Sequence, residues 1–214
     1  GSDYMHGDTE TRQKLIESAK KEFFENGFAK ASLRKICTNA GVTTGALYFF
    51  FKNKDDLFSA IVAPPILKLK EMLIEHNRED EEYMGSTDEQ TRSVENQVAT
   101  HKEAVTMVGY LYDNYDAFIL LLTKAQGSVF ENCVDEFVAL MEEGFRTSTE
   151  ALLKNMPGYH VDEYMLHWLA HMDIEMFIHL LTHVPEKEKG LVYAEKMMGA
   201  MVKMWFDLLP VRDE

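Results

Sequence analysis

Apolar residues along this chain recur at steps of three and four, and no run alternates with a period of two. That spacing predicts helices throughout and an all-α fold. Leu15, Ala19 and Phe23, with Ile16 and Phe24 beside them, form one stripe that stops at Asn26-Gly27, a pair suited to a helix C-cap. A short second helix begins behind Ser32, carries Leu33, Ile36 and Cys37, and ends at Gly41. Thr43 caps a third short helix that reaches Phe50. A fourth opens at Asn53, with Asp55 and Asp56 in its first turn, where carboxylates favour the helix dipole. Pro64-Pro65 is expected to break or kink that helix, because two consecutive rings remove amide donors and crowd the preceding turn. Apolar spacing resumes through Ile66, Leu69, Met72 and Leu73. Residues 75–95 then hold eight acidic side chains around Gly85-Ser86 and read as a mobile, solvated connection. Further helical segments follow at 96–123 (interrupted near Asn114), 128–154, 161–183 and 188–209, with breaks at Gly127-Ser128, Pro157-Gly158 and Pro185. The total is about nine helices.

The 214 residues include 36 Asp and Glu against 22 Lys and Arg, a formal charge of −14. A hydrophobic content of 46% supports a substantial core, and the two cysteines, Cys37 and Cys133, are too few for a disulfide scaffold or a four-cysteine zinc site. No apolar run approaches the ~20 residues of a membrane span. With no signal-peptide pattern either, a soluble cytoplasmic protein without membrane partners is expected. Gly1 to His6 resemble a cloning remnant and carry no weight. Global acidity by itself argues against nucleic acid, yet it hides an asymmetry. From Asn26 to Lys54 there is no acidic residue, while Lys30, Arg34, Lys35, Lys52 and Lys54 are basic. Residues 9–62 carry nine basic and six acidic side chains, a balance of +3, which leaves −17 for the remainder. A basic head on an acidic body suits a protein whose head alone meets a polyanion. The expected division is 8–62 and 63–214.

Two short helices joined by a turn containing Gly form a helix-turn-helix, here at about 32–51, whose second helix enters the DNA major groove. Each residue has a physical reason under that reading. Gly41 supplies the left-handed turn, and Val42 pins the second helix to the first. Gly45 leaves room for close backbone approach to a phosphate. Thr43 and Thr44 face the groove from the helix N-terminus. Tyr48 offers a hydroxyl, and Lys52 and Lys54 add charge beside it. Leu33, Ile36, Leu47 and Phe51 are expected in the core; Phe49 and Phe50 cannot both face inward. An exposed Phe either touches a thymine methyl or packs on the first helix. Cys37 is expected to fill a small core site.

At these residues the chain resembles the tetracycline-repressor (TetR) family of one-component bacterial regulators. The matching string runs Ser32-Leu33-Arg34-Lys35-Ile36, then Ala40-Gly41-Val42-Thr43-Thr44-Gly45-Ala46-Leu47-Tyr48, then Phe51 and Lys54-Asp55-Asp56-Leu57-Phe58. With the first helix it covers residues 9–62; beyond Val62 the resemblance is architectural. It implies a homodimeric, all-helical repressor with an operator-binding N-terminal head and an inducer-binding, dimerising C-terminal domain. By position, Ser32, Arg34, Tyr48 and Lys54 would contact phosphates, Thr43, Thr44 and Phe49 would lie near base edges, and Gly45 would give a backbone contact. The sequence departs from the family at Ala31 and Ala46, where a hydroxyl is common, at Phe50, where Tyr or His is common, and at Lys35, which replaces a frequent acid. Three polar phosphate contacts are thereby lost.

In the C-terminal part, Leu191, Ala194, Met198, Met201, Trp205 and Leu208 step by three and four, and Val161, Met165, Trp168 and Met172 follow a similar register. Both stripes suit the four-helix dimer interface that the resemblance implies, with Met165, Trp168, Met198, Met201 and Trp205 at its centre; ordinary intrachain core is the competing assignment. A two-fold dimer would read a pseudo-palindromic duplex with recognition helices one turn apart, ~34–36 Å, or a near multiple. Met107, Tyr110, Tyr115, Phe118, Phe137, Met141, Phe145, Trp168 and Met172 are candidates to line an apolar cavity for a small hydrophobic inducer, with the kinked fourth helix as lever. His167, His171, Glu175, His179 and His183 recur every four residues, which suggests the alternative of an all-helical metal-binding protein or enzyme. A drift of about 40° per step spreads that row around the helix, and neither a metalloprotease motif nor a Glu-x-x-His pair is present. No enzymatic activity, catalytic residue, cofactor or metal is expected.

Overall fold

The computed structural model describes residues 2–93, 96 and 102–214. Among these are ten helices: α1 (Ser2–Lys30), α2 (Leu33–Ala40), α3 (Thr44–Phe50), α4 (Lys54–Gly85), α5 (Glu89–Arg92), α6 (Lys102–Asp113), α7 (Tyr115–Lys124), α8 (Cys133–Leu153), α9 (Glu163–His183) and α10 (Lys187–Leu208). Two three-residue strands, β1 (Tyr159–Val161) and β2 (Pro210–Arg212), complete the elements. Residues 97–101 of the expected helix at 96–123 lie outside the described residues; its interruption near Asn114 separates α6 from α7. No helix is long and apolar enough to cross a membrane among the described residues. The chain forms two compact units, one of residues up to Leu67 together with Asp116–Cys133, the other of Lys68–Tyr115 together with Val134–Glu214. The N-terminal unit thus recruits a later segment that the sequence division at 62/63 does not contain.

In that unit the caps form as their residue types dictate. Ser32 Oγ accepts from the Lys35 amide at 3.2 Å, Thr43 Oγ1 from Ala46 at 3.1 Å, and Asn53 Oδ1 from Asp56 at 2.8 Å. Gly41 sits at φ 69°, a left-handed position that lets its own N–H and that of Val42 bond back to the last turn of α2. Gly27, also at positive φ, bends α1 where its apolar stripe ends, and one more turn follows to Lys30. Leu15, Ala19, Ile36, Leu47 and Leu57 are fully buried, while Leu33 is only half-buried. Phe58 stands edge-on to Phe23 and Phe28 at 5.0 and 5.3 Å and tilts against Phe130 at 6.1 Å. The Val129 amide donates to Asp55 Oδ1 at 2.9 Å, so an aromatic cluster and a hydrogen bond together fasten the 116–133 segment.

Three expectations are corrected. The Pro64-Pro65 pair does not break α4, which runs continuously from Lys54 to Gly85. Proline φ is helical, and Ile61, Val62 and Ile66 are buried around the pair, so packing offsets the missing donors. The acidic stretch at 75–85 is helical rather than a loose connection. Arg78 bridges Glu75 at 2.6 Å and Glu82 at 3.4 Å, Asn77 Nδ2 donates to Leu140 O at 3.1 Å, and Met84 is buried. Gly144 makes room for Asn77, since a Cβ there would sit 2.3 Å from the amide. Finally, β1 and β2 pair antiparallel, His160 opposite Val211. With the Asp162 amide on Leu209 O at 3.0 Å, this clip joins the start of α9 to the end of α10 above a core of Leu166, Leu169, Trp205 and Leu209. Strands of three residues are too short to alternate visibly.

Phe58→Ala removes the ring shared by α1, α4 and the 116–133 segment, and it is expected to cost about 3–5 kcal/mol. Chemical denaturation followed by far-UV circular dichroism checks this; unchanged stability would mean the cluster does not hold the unit together.

Candidate functional site

The surface of α3 carries the residues that the sequence selects. Leu47, fully buried, faces inward and anchors the helix; one position on, Tyr48 is 58% exposed and Phe49 is 73% exposed. Phe49 meets the half-buried Phe50 edge-on at 5.0 Å, and the buried Phe51 lies under the Arg12 guanidinium at 5.3 Å. Thr43, Thr44 and Gly45 are exposed at the N-terminal end of α3, with the Thr43 hydroxyl already engaged in the cap. Ser32, Arg34 and Lys52 are exposed on the flanking turns. Among the described residues the Arg34 guanidinium, the Lys52 ammonium and the Tyr48 hydroxyl have no intramolecular hydrogen-bond or ion-pair partner. A convex helix with exposed aromatic and hydroxyl side chains, flanked by uncommitted cations, is equipped to meet a polyanion.

Two residues have structural duties that the sequence alone does not reveal. Lys54 directs its ammonium at Ala29 O (3.1 Å) and Ala31 O (3.2 Å) and over the Phe28 ring at 4.9 Å, closing the end of α1. Glu22, buried in the C-terminal third of α1, accepts from both Asn26 Nδ2 at 2.9 Å and the Ser32 amide at 3.1 Å through one oxygen. Its other oxygen faces the Lys35 ammonium at 3.1 Å. Burial pushes this carboxyl up, but the Ser32 amide, Lys35 and Asn26 together pull it below its ordinary value. Lys35 also lies 3.4 Å from Glu25, and its ammonium is held above its usual range by hydrogen bonding to Glu22 and then Glu25. Lys35 therefore fixes α2 to α1. Glu22 has no local sequence signal for this role, since Ser32 and Lys35, which answer it, lie ten and thirteen residues away.

The C-terminal unit encloses a cavity of about 130 Å³. Its wall is formed by His76, Asn77 and Asp80 of α4, Met107 of α6, Met141, Phe145 and Ser148 of α8, Asp173 and Phe177 of α9, and Met198, Met201 and Trp205 of α10. Asp173 is 7% exposed and has no hydrogen-bond or ion-pair partner among the described residues. Burial pushes its carboxyl up to about 7. Burial also raises the Asp80 carboxyl, against the opposing pull of His76, whose Nε2 lies 3.3 Å away. His76 Nδ1 is buried without a hydrogen-bond partner. Asp173 was legible in principle: it shares the inward face of α9 with Leu166, Leu169, Ala170 and Leu180, where an acid is out of place.

Of the expected cavity residues, Met107, Met141 and Phe145 lie on the wall. Tyr110, Phe137, Trp168 and Met172 do not; Trp168 packs on the core below, Phe137 lies under Lys70, and Met172 is 44% exposed. Phe118 is buried in the N-terminal unit and cannot serve the cavity. Tyr115 instead donates to Leu181 O at 2.7 Å. The expected dimer stripe also turns inward: Met198 and Trp205 are buried within the single chain, Met201 lines the cavity, and Met165 is half-buried against the core. Within the single chain, then, Met198 and Trp205 of that stripe are core, and the exposed large apolar residues of α9 and α10 are Tyr164, Met172, Val192 and Tyr193. The histidine row splits into two pairs, His167 with His171 at 4.5 Å and His179 with His183 at 4.0 Å between ring centres. His167 Nδ1 lies 3.0 Å from Glu142. Among the described residues no three His, Cys, Asp or Glu side chains gather as metal ligands.

Residues 15–61 match the family described as bacterial regulatory proteins, tetR family. The chain is 35% identical over 71 residues to the HTH-type transcriptional repressor BepR of Brucella suis, a match covering 33% of this chain and 34% of that protein. It is 48% identical over 52 residues to the HTH-type transcriptional regulator AcrR of Shigella flexneri, covering 24% of each. The chain thus matches about a quarter to a third of the length of these curated relatives. Similarity of fold extends over the whole chain. NalD of Pseudomonas aeruginosa, the secondary repressor of the MexAB-OprM multidrug efflux pump, superposes with a TM-score of 0.57 at 20% identity, covering 98% of this chain and 100% of that one.

The two buried acids predict opposite pH behaviour. Because the Glu22 carboxyl is lowered on folding, its contribution is fully present above its ordinary value of 4.5 and is lost as pH falls through the lower folded value. Glu22→Gln is expected to cost on the order of 1–3 kcal/mol near neutrality and progressively less in acid, measured by urea denaturation across pH. Asp173 runs the other way. Its folded value of about 7 lies above the ordinary 3.8, so between them the native state binds the extra proton and stability declines as pH rises. In Asp173→Asn that decline should flatten, with a gain on the order of a few kcal/mol at pH above the folded value. Parallel pH profiles for the two proteins would contradict it.

Proposed function

We propose that this chain, whose N-terminal helices belong to the tetR family of bacterial regulatory proteins, is a ligand-responsive transcriptional regulator that binds duplex DNA through α3. The observation that carries the reading is the exposed face of α3, free of acids and bordered by Arg34 and Lys52, on a protein of net charge −14. Thr44 and Phe49 are assigned to base edges, Thr43 and Gly45 to close approach at the helix start, and Ser32, Arg34, Tyr48 and Lys52 to phosphates. Lys54 acts one step back, holding the end of α1 and adding field. Repression is the expected direction, since BepR and NalD are named as repressors.

One such head offers few phosphate contacts, so two copies related by a two-fold axis are needed for a useful operator affinity. The exposed apolar residues Tyr164, Met172, Val192 and Tyr193 on α9 and α10 make those helices the proposed dimer surface. The cavity of the C-terminal unit is the proposed effector site. The cytoplasm, where the chromosome lies, is the compartment this role requires.

The test is an electrophoretic mobility shift on the protein's own upstream region, repeated over a range of salt. Binding should weaken steeply with salt, and Lys52→Ala should lower the logarithmic salt slope by about one per head. Tyr48→Phe should weaken all duplexes alike, by roughly three- to tenfold, whereas Thr44→Ala should reorder preference among them. Absence of salt-sensitive duplex binding by the pure protein would remove the reading.

A further inference from the structure

We propose that the cavity of the C-terminal unit receives a lipophilic amine, whose ammonium group is paired with the carboxylate of Asp173. The proposal rests on the regulatory reading above and names the chemical class of its effector.

Asp173 is the starting point. A carboxyl removed from water and left without a donor is costly, and native chains keep few of them. Asp173 is 7% exposed, lines the cavity, and meets no donor among the described residues. Among the described residues the titratable groups facing the cavity are Asp173 from α9 and His76, Asp80 and Tyr83 from α4; none comes from α6, α8 or α10, and no Lys or Arg lines it. An anion would have only the His76 imidazole to meet, already 3.3 Å from Asp80 and set against the Asp80 and Asp173 carboxyls, and a wholly apolar molecule would leave Asp173 as it is. A protonated amine supplies both the missing donor and the opposite charge.

The remaining wall suits the rest of such a molecule. Phe145, Phe177 and Trp205 add aromatic surface for a cation and its hydrocarbon, and the flexible thioethers of Met107 and Met141 adapt to its shape. A bare metal ion does not fit, because no three ligating side chains converge among the described residues. Proton balance follows from the surroundings of Asp173. Its carboxyl is neutral below a value of about 7, so an ammonium ion binding there displaces the carboxylic proton to solvent and leaves the ammonium–carboxylate pair. The preference for an amine over its neutral counterpart therefore grows as pH rises through that value.

The experiment uses the full chain and three matched probes: a phenylbutylamine, the corresponding alcohol and the corresponding carboxylate. Isothermal titration at about pH 6 and about pH 8, in buffers of different ionisation enthalpy, reads affinity and proton release together. The amine should bind roughly tenfold or more tightly than the alcohol at the higher pH, with proton release at the lower, and the carboxylate should bind weakest. Asp173→Asn should abolish the amine preference while still admitting the alcohol. Equal affinity for amine and alcohol in the unmodified protein, or a preference that survives Asp173→Asn, overturns the proposal without needing any DNA. The mobility shift is run beside it: duplex binding without amine selectivity defeats this inference alone, and amine selectivity without duplex binding defeats only the regulatory reading.

Discussion

A carboxylate withdrawn from water has to be met by donors, and the geometry of the N-terminal unit depends on how Glu22 is met. Its partners come from three places: Asn26 one turn along α1, the amide of Ser32 at the start of α2, and the ammonium of Lys35 on α2. Ser32 in turn caps α2 through its hydroxyl, so one residue takes part in both the junction and the cap. The angle between α1 and α2 is thereby set by directional bonds in addition to apolar packing, which has no direction of its own. The turn at Gly41 then hands that orientation to α3, a helix of seven residues too short to hold itself. An exposed recognition surface is specific only to the degree that its backing is rigid. Here the backing is a buried charge paired with Lys35 below one helix and the fully buried Leu47 below the other.

The C-terminal unit treats its buried acid in the opposite manner. Asp173 sits in a wall of methionine and aromatic side chains, with no donor among the described residues to answer it. The same physical rule gives different consequences in the two places. Where donors converge, the carboxyl is pulled down and binds the scaffold together; where they are absent, it is pushed up and waits on something from outside. Structural acids and ligand-seeking acids are thus distinguishable by their partners, even though both are buried on the apolar side of a helix.

Much of the N-terminal unit was legible because its signals are local. Caps at Ser32 and Thr43, the left-handed Gly41 and the inward Leu47 each follow from residue type and immediate neighbours. The departures arose where distant contacts override local preference. Residues 75–85 are helical because Asn77, Arg78 and Met84 find partners, some of them more than sixty residues away. Lys54 and Lys35 could not be told apart from free cations by sequence, since their partners lie on another helix. The stripe of α10 was visible, but periodicity reports only that a face is apolar; burial of Met198 and Trp205 within one chain decides what covers it.

Helix α4 passes from one compact unit into the other, and the crossing at Leu67 and Lys68 falls just after Pro64 and Pro65. Each proline removes one rung of the helical ladder, so two consecutive carbonyls, those of Ala60 and Ile61, lack their usual amide partner. A helix bends most readily where such rungs are missing, because fewer bonds oppose the change. His76 and Asp80 on the cavity wall and Asp55 and Phe58 in the N-terminal unit all belong to this one helix, on either side of the weakened turns. A ligand changes DNA affinity only through a difference in its affinity for two arrangements of the protein. A helix that is continuous yet short of two rungs at Pro64 and Pro65 can bend there without unfolding.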